Sequence, residues 1–179
     1  MVGKWLAARA AEREETRPVI DLATARDQAA SAAPAVTTAD SKGLTFLLAA
    51  DDSEDAIRAA ERLIGWISWY RAPVSLHILN VQYPAHGDVG AFVAKEEIAD
   101  YHHEQGLKTL QPIRERLDRA GVPHQVHIGV GDPAQVIAHY AKETKSDQIF
   151  LGASTGRPVM GSTALATMAL VEIPVTLMK

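Results

Sequence analysis

From Gly43 onward the chain alternates between two hydrophobic periods. Residues 44–50, LTFLLAA, form an uninterrupted apolar run of strand length, the pattern of a strand buried on both faces in a parallel sheet. The stretch that follows, DDSEDAIRAAERLIGWISWYRA, switches to helical spacing. Ser53 is the expected N-cap, Glu54 and Asp55 lie in the first turn where the helix dipole favours carboxylates, and Ile57, Ala60, Ile64 and Ile67 share one face. VSLHILNV (74–81) predicts a second strand and YPAHGDVG a loop. Residues 92–120 predict helix interrupted at Gly106 and Pro112, with Leu110, Ile113 and Leu117 as its apolar stripe and Gly121 as its stop. HQVHIGV alternates as a third strand. GDPAQVIAHYAKETKS opens a third helix with Asp132 as N-cap and Pro133 at the first helical position, burying Val136, Ile137, Tyr140 and Ala141. DQIFLGAS reads as a fourth strand, STALATMALVE as a short fourth helix, and IPVTLMK as a fifth strand.

Strands alternating with helices predict an α/β domain, a doubly wound parallel sheet with helices on both faces, because each right-handed crossover packs its helix back onto the sheet. Ligands of such sheets bind beyond the carboxyl ends of the strands. The candidate site therefore comprises the loop after the first strand, ADDS (50–53), and the loop after the fourth, GASTGRPVMGSTA (152–164). Residues 1–42 read differently. They are rich in Ala and charge and contain the linker-like ASAAPAVTTADSKG, so they are expected to form an N-terminal extension, mobile or partly helical, ahead of a domain at 43–179. The fourth helix, ALATMALV, is apolar almost all round, which calls for cover on its outer side from that extension or from a partner subunit.

Composition narrows the function. At 179 residues, 47% hydrophobic and 22% charged, the chain suits one domain with an appendage. A net charge of −4, with no clustered Lys and Arg, argues against a nucleic-acid surface. The absence of cysteine excludes disulfides, thiolate catalysis and Cys-based zinc sites. No apolar run reaches the ~20 residues of a membrane span, and the first residues fit neither a secretory signal nor a transit peptide, so a cytoplasmic protein with no membrane partner is expected.

The loop GASTGRPVMGSTA fits two enzymatic templates and fails both. As G-x-S-x-G it would be a hydrolase elbow, but the triad needs an acid and a histidine downstream of Ser154, and only Glu172 follows. As G-x-x-x-x-G-S-T it would be a phosphate loop, but Ser162 stands where the lysine that meets the outer phosphates is required. Glu96, Asp100 and His103 share a helical face and read as a solvated face, not a metal site. His77, His124 and His127 read as hydrogen-bonded structural histidines, and Trp66, Trp69 and Tyr70 as packing residues. No catalytic and no metal-binding residue is assigned, and the chain is not expected to be an enzyme.

Residues 43–179 resemble the universal stress protein family. The resemblance rests on the first strand ending in AADDS, GDPA at 131–134, SDQIFLG leading into the glycine loop, Gly161–Ser162, and the terminal PVTLMK. It implies five strands in the order 3-2-1-4-5 and a regulatory or binding module of the stress response. It also implies an adenine-nucleotide site with the base and ribose near Asp51, Asn80 and Val81 and the phosphates on the glycine loop at Gly152, Gly156, Gly161, Ser162 and Thr163. This chain departs from the family's G-x2-G-x9-G-[ST]: three residues separate Gly152 from Gly156 and four separate Gly156 from Gly161. Pro158 removes a further N–H and Asp52 adds a carboxylate beside Asp51. ATP or AMP binding is therefore expected to be weak or absent, and Ser162 could act only as a helix cap. The resemblance further implies a homodimer through residues 173–178. The alternative is a nucleotide-free dimeric interaction protein in which the loop is only structural.

Overall fold

The computed structural model describes residues 20, 21, 43–84, 95–153 and 161–179, without the side chains of residues 20, 21, 95 and 96. Local signals fix most element ends. Helix α1 (Glu54–Ile67) starts where the Ser53 side chain accepts the Ala56 N–H, and α3 (Pro133–Glu143) where Asp132 accepts the Gln135 N–H. Helix α2 (Lys95–Arg119) ends at Gly121, whose φ of +66° lets the Val122 N–H reach the Leu117 carbonyl and the Gly121 N–H reach that of Asp118.

The strands are β1 (Ile20–Asp21), β2 (Leu44–Ala49), β3 (Val74–Gln82), β4 (His124–Val130), β5 (Gln148–Gly152) and β6 (Val175–Met178), with a fourth helix, α4 (Ser162–Leu170), between the last two. They form one sheet in the order β1-β4-β3-β2-β5-β6. Strands β2 to β6 are mutually parallel, which is the expected order 3-2-1-4-5 counted within the domain. The extension contributes β1, which pairs antiparallel with the edge of β4, Ile20 opposite Val130 and Asp21 opposite Gly129. Nothing in the local pattern around Ile20 announces a strand; the unpaired edge of β4 supplies its partner.

Both faces of the sheet are buried, as the apolar runs require. On one face Phe46, Leu48, Leu76, Ile78, Ile128 and Phe150 meet α1 and α2. On the other, Leu47, Ala49, Leu79, Ile149 and Leu151 meet α3 and Ala164 of α4. One expectation is corrected. Helix α2 runs unbroken for 25 residues through Gly106 and Pro112. Proline removes one i→i−4 bond, but the stripe of Leu110, Ile113 and Leu117, fully buried on the sheet, holds the helix together across it. Gly106 is not a break either: a Cβ there would lie 2.6 Å from two side-chain atoms of Ile128, so glycine lets α2 lie close on β4. The start expected for this helix at residue 92 lies outside the described residues.

Candidate functional site

The carboxyl end of β2 is organised by Ser53. Besides capping α1, Ser53 gives both its N–H, at 3.1 Å, and its hydroxyl, at 2.5 Å, to Oδ1 of Asp51. These bonds fix the Asp51 carboxylate at the exposed mouth, with Asp52 exposed beside it. Asn80, only 2% exposed, lies one strand over and ties β2 to β3: its Nδ2 donates to the Ala50 carbonyl at 2.9 Å and its Oδ1 accepts from Gln82 Nε2 at 2.5 Å. Asn80 thus holds the backbone that carries Asp51, and its own amide is engaged within the protein. Val81 follows, half-buried, opposite Gly129.

Gly152, at the end of β5, has a steric role the motif does not reveal. A Cβ on it would stand 2.7 Å from the Asp55 carbonyl carbon and 2.8 Å from the Ala56 nitrogen. It is the point where β5 meets the first turn of α1, the turn that Ser53 caps. Residues 154–160, including Gly156 and Pro158, lie outside the described residues.

The chain re-enters at Gly161, which is itself the N-cap of α4, with φ −61° and no side-chain cap bond. The expectation that Ser162 serves as the cap is therefore corrected: Ser162 and Thr163 occupy the first helical positions, exposed and half-buried. The opening N–H groups of a helix have no intrahelical acceptor, and glycine offers them no side-chain oxygen, so this start carries N–H donors and the positive end of the dipole. Asp51, Asn80 and Gly152 therefore cluster around the capped start of α1 on one face of the sheet, and Gly161–Thr163 open α4 on the other.

The histidines read as structural are engaged inside the fold. His77 Nδ1 and His127 Nε2 are 2.8 Å apart with the rings stacked, and burial lowers the pKa of His77 below its ordinary value. His124 Nδ1 lies 3.1 Å from the Val122 carbonyl. Trp66 packs edge-on against Phe150 and stacks on Trp69, whereas Trp69 itself is 76% exposed. Among the described residues no group of three or more His, Asp or Glu is placed to hold a metal ion, and no helix is long and apolar enough to cross a membrane. A depression of about 380 Å³ lined by Gly43, Leu44, Pro73, Val74, Pro123 and His124 lies at the opposite, amino-terminal end of the strands, away from Asp51. One buried polar residue of α2 was missed from sequence: His102 is 5% exposed, its Nδ1 has no partner among the described residues, and its position four residues before Gly106 and eight before Leu110 was the available signal.

A parallel sheet in this order, with helices on both faces, an acidic loop after its first parallel strand and a glycine-started helix after its fourth, defines the doubly wound class of α/β domains. Within it the chain belongs to the universal stress protein family, whose family model matches residues 44–179. The fold matches universal stress protein UspA from Lactobacillus plantarum with a TM-score of 0.62 at 19% identity, covering 78% of this chain and 100% of that one. It also matches a universal stress protein family protein from Arabidopsis thaliana with AMP bound, with a TM-score of 0.54 at 20% identity, covering 75% and 90%. A universal stress protein in complex with cAMP gives a TM-score of 0.54 at 19% identity, covering 78% and 98%. At these identities the likeness establishes the fold. No curated protein matches the chain by sequence.

Proposed function

We propose that this chain is a regulatory binding module of the stress response, not a catalyst, and that its site takes an adenine nucleotide weakly, AMP in preference to ATP. The observation that carries this reading is the pairing of a fixed carboxylate with a helix start that has no side-chain cap: Asp51 held by Ser53 after β2, and Gly161 opening α4 after β5. A carboxylate so held suits the hydroxyl groups of a ribose, and free helix N–H groups suit a phosphate. Each exposed helix-end contact supplies only about 0.3–1 kcal/mol, so a shortened loop that has lost donors, with Asp52 at its mouth, cannot hold three phosphates firmly. The AMP and cAMP complexes of two proteins of this fold support the ligand class.

Calorimetry with AMP and ATP tests the reading. AMP is expected to bind weakly and ATP no better, both weakened by Gly161→Val, whose Cβ has nothing within 4 Å among the described residues. Sub-micromolar ATP affinity, or ATP retained through purification, would overturn the reading of a reduced loop.

A second reading, a nucleotide-free dimeric interaction protein, is favoured by the outer edge of β6. The Ile149 N–H bonds to the Pro174 carbonyl and the Ala153 N–H to that of Met178, so Pro174 and Met178 turn their carbonyls toward β5. By the alternation of a parallel ladder, Val175 and Leu177 turn their N–H and C=O groups outward. Beside this edge Leu165, Met168 and Leu170 of α4 are 46–54% exposed. The two readings are compatible with one homodimer, paired antiparallel through residues 173–178 about a two-fold axis.

A further inference from the structure

At the carboxyl ends of the strands, β3 outruns its neighbour β2. Its pairing with β2 ends at Leu79 opposite Ala49, but the strand runs on to Gln82, which pairs with Val130 of β4 and accepts the Gly131 N–H at 3.0 Å. The added length, Asn80 to Gln82, is roughly 10 Å of chain and forms a wall beside the loop that carries Asp51. Val81 packs on the cluster that joins Leu79, α3 and Ala164 of α4, so it faces the side of the sheet on which α4 starts. Side chains alternate along a strand, and Pro84 disfavours a helical backbone at the residue before it. The extended course therefore carries on through Tyr83, which shares the face of Val81 and of the α4 start.

Tyr83 is 66% exposed. The other exposed aromatic rings among the described residues lie elsewhere and have ring partners. Trp69 stacks on Trp66, and Tyr70 lies edge-on to Phe46, both past the end of α1 where the chain returns to the amino end of β3. Tyr101 lies edge-on to His102 on α2. Tyr83 directly follows the carboxyl end of a strand and has no ring partner among the described residues. Across the sheet, the carboxyl ends carry Tyr83 after β3, Asp51 after β2 and the start of α4 after β5, each one strand, about 4.8 Å, from the next. A nucleotide presents its base, ribose and phosphate in that same order.

We infer that Tyr83 is the platform on which the base of a bound adenine nucleotide stacks. The inference rests on the nucleotide reading above and adds to it a source of affinity for the base. A phenol ring offers an accessible π face, and stacking on it rewards the area covered and not a hydrogen-bond pattern. Tyr83 therefore favours a purine over a pyrimidine and does not tell adenine from guanine. With its backbone restricted by Pro84, the ring loses little freedom when a base settles on it.

The test uses the full chain, isotope-labelled on tyrosine, titrated with AMP, UMP and ribose 5-phosphate and followed by NMR. AMP should bind more tightly than UMP and shift the Tyr83 ring resonances upfield through the ring current of the purine, whereas ribose 5-phosphate should leave them unmoved. Tyr83→Ala should weaken AMP by roughly tenfold, the usual scale for removing an aromatic ring from under a base, and leave ribose 5-phosphate within about twofold. It should also abolish the preference for AMP over UMP. Tyr83→Phe should bind AMP as wild type does, because the ring and not the hydroxyl makes the contact. An unmoved Tyr83 ring, or AMP and ribose 5-phosphate weakened equally by Tyr83→Ala, would overturn this inference and leave the nucleotide reading standing. Failure of AMP to shift any resonance at millimolar concentration would remove both. Should Tyr83→Ala fail to fold, the wild-type ring resonances still decide.

Discussion

Gly152→Ala isolates what the first glycine of the loop does. The added Cβ would meet backbone, the Asp55 carbonyl carbon at 2.7 Å and the Ala56 nitrogen at 2.8 Å, and backbone in the capped first turn of α1 cannot rotate aside as a side chain can. Overpacking of this sort costs about 1–3 kcal/mol, and the rigid neighbours place it near the top of that range. Alanine also restricts the unfolded chain, which returns about 0.4–1 kcal/mol. The net expectation is a loss of about 2 kcal/mol, or roughly 4–8 °C in Tm for a chain of this size. Urea unfolding followed by tryptophan fluorescence is a direct assay, because Trp66 packs against Phe150 on the same strand, ring centroids 6.5 Å apart. Gly161→Ala is the control. It meets nothing within 4 Å and has an ordinary negative φ, so only the poorer cap propensity of alanine remains, worth about 0.5 kcal/mol. If Gly152→Ala unfolds within about 0.5 kcal/mol of wild type, or if Gly161→Ala loses as much, the packing role assigned to Gly152 is wrong.

Two further outcomes are expected. Burial depresses the pKa of His77, so the unfolded chain takes up the proton first; the stability this neutral imidazole contributes is intact above about pH 6.5 and is lost as pH falls through the folded-state value. Thermal unfolding of His77→Gln should therefore fall less steeply than wild type on acidification, and parallel curves would remove His77 as the cause. Val175→Pro removes an N–H that points away from β5, so light scattering should show dimers giving way to monomers while circular dichroism and Tm stay close to wild type; unchanged assembly, or a wild type that is monomeric at high concentration, would refute the edge pairing.

The sequence announced what local physics decides and concealed what depends on neighbours. Burial on both faces makes β2 an unbroken apolar run, and Ser53, Asp132 and Gly121 mark helix ends because capping involves only residues a few positions apart. Helix α2 was misjudged by the same local rules. Gly106 and Pro112 carry a penalty in an isolated helix, but the contact that justifies Gly106 is with Ile128, on another element. Strand β1 is two residues long and exists by pairing with β4, more than 100 positions away, so no window of sequence could show it. At the site the residue types were legible but their roles were not. Gly152 was noticed as part of a motif, yet the atoms next to it are those of Asp55 and Ala56; Asn80 was noticed as a ligand contact, yet its amide holds Ala50 and Gln82. His102 escaped for the converse reason. A polar residue interrupts a hydrophobic pattern, and so appears to end the buried stripe that it in fact extends by one further turn.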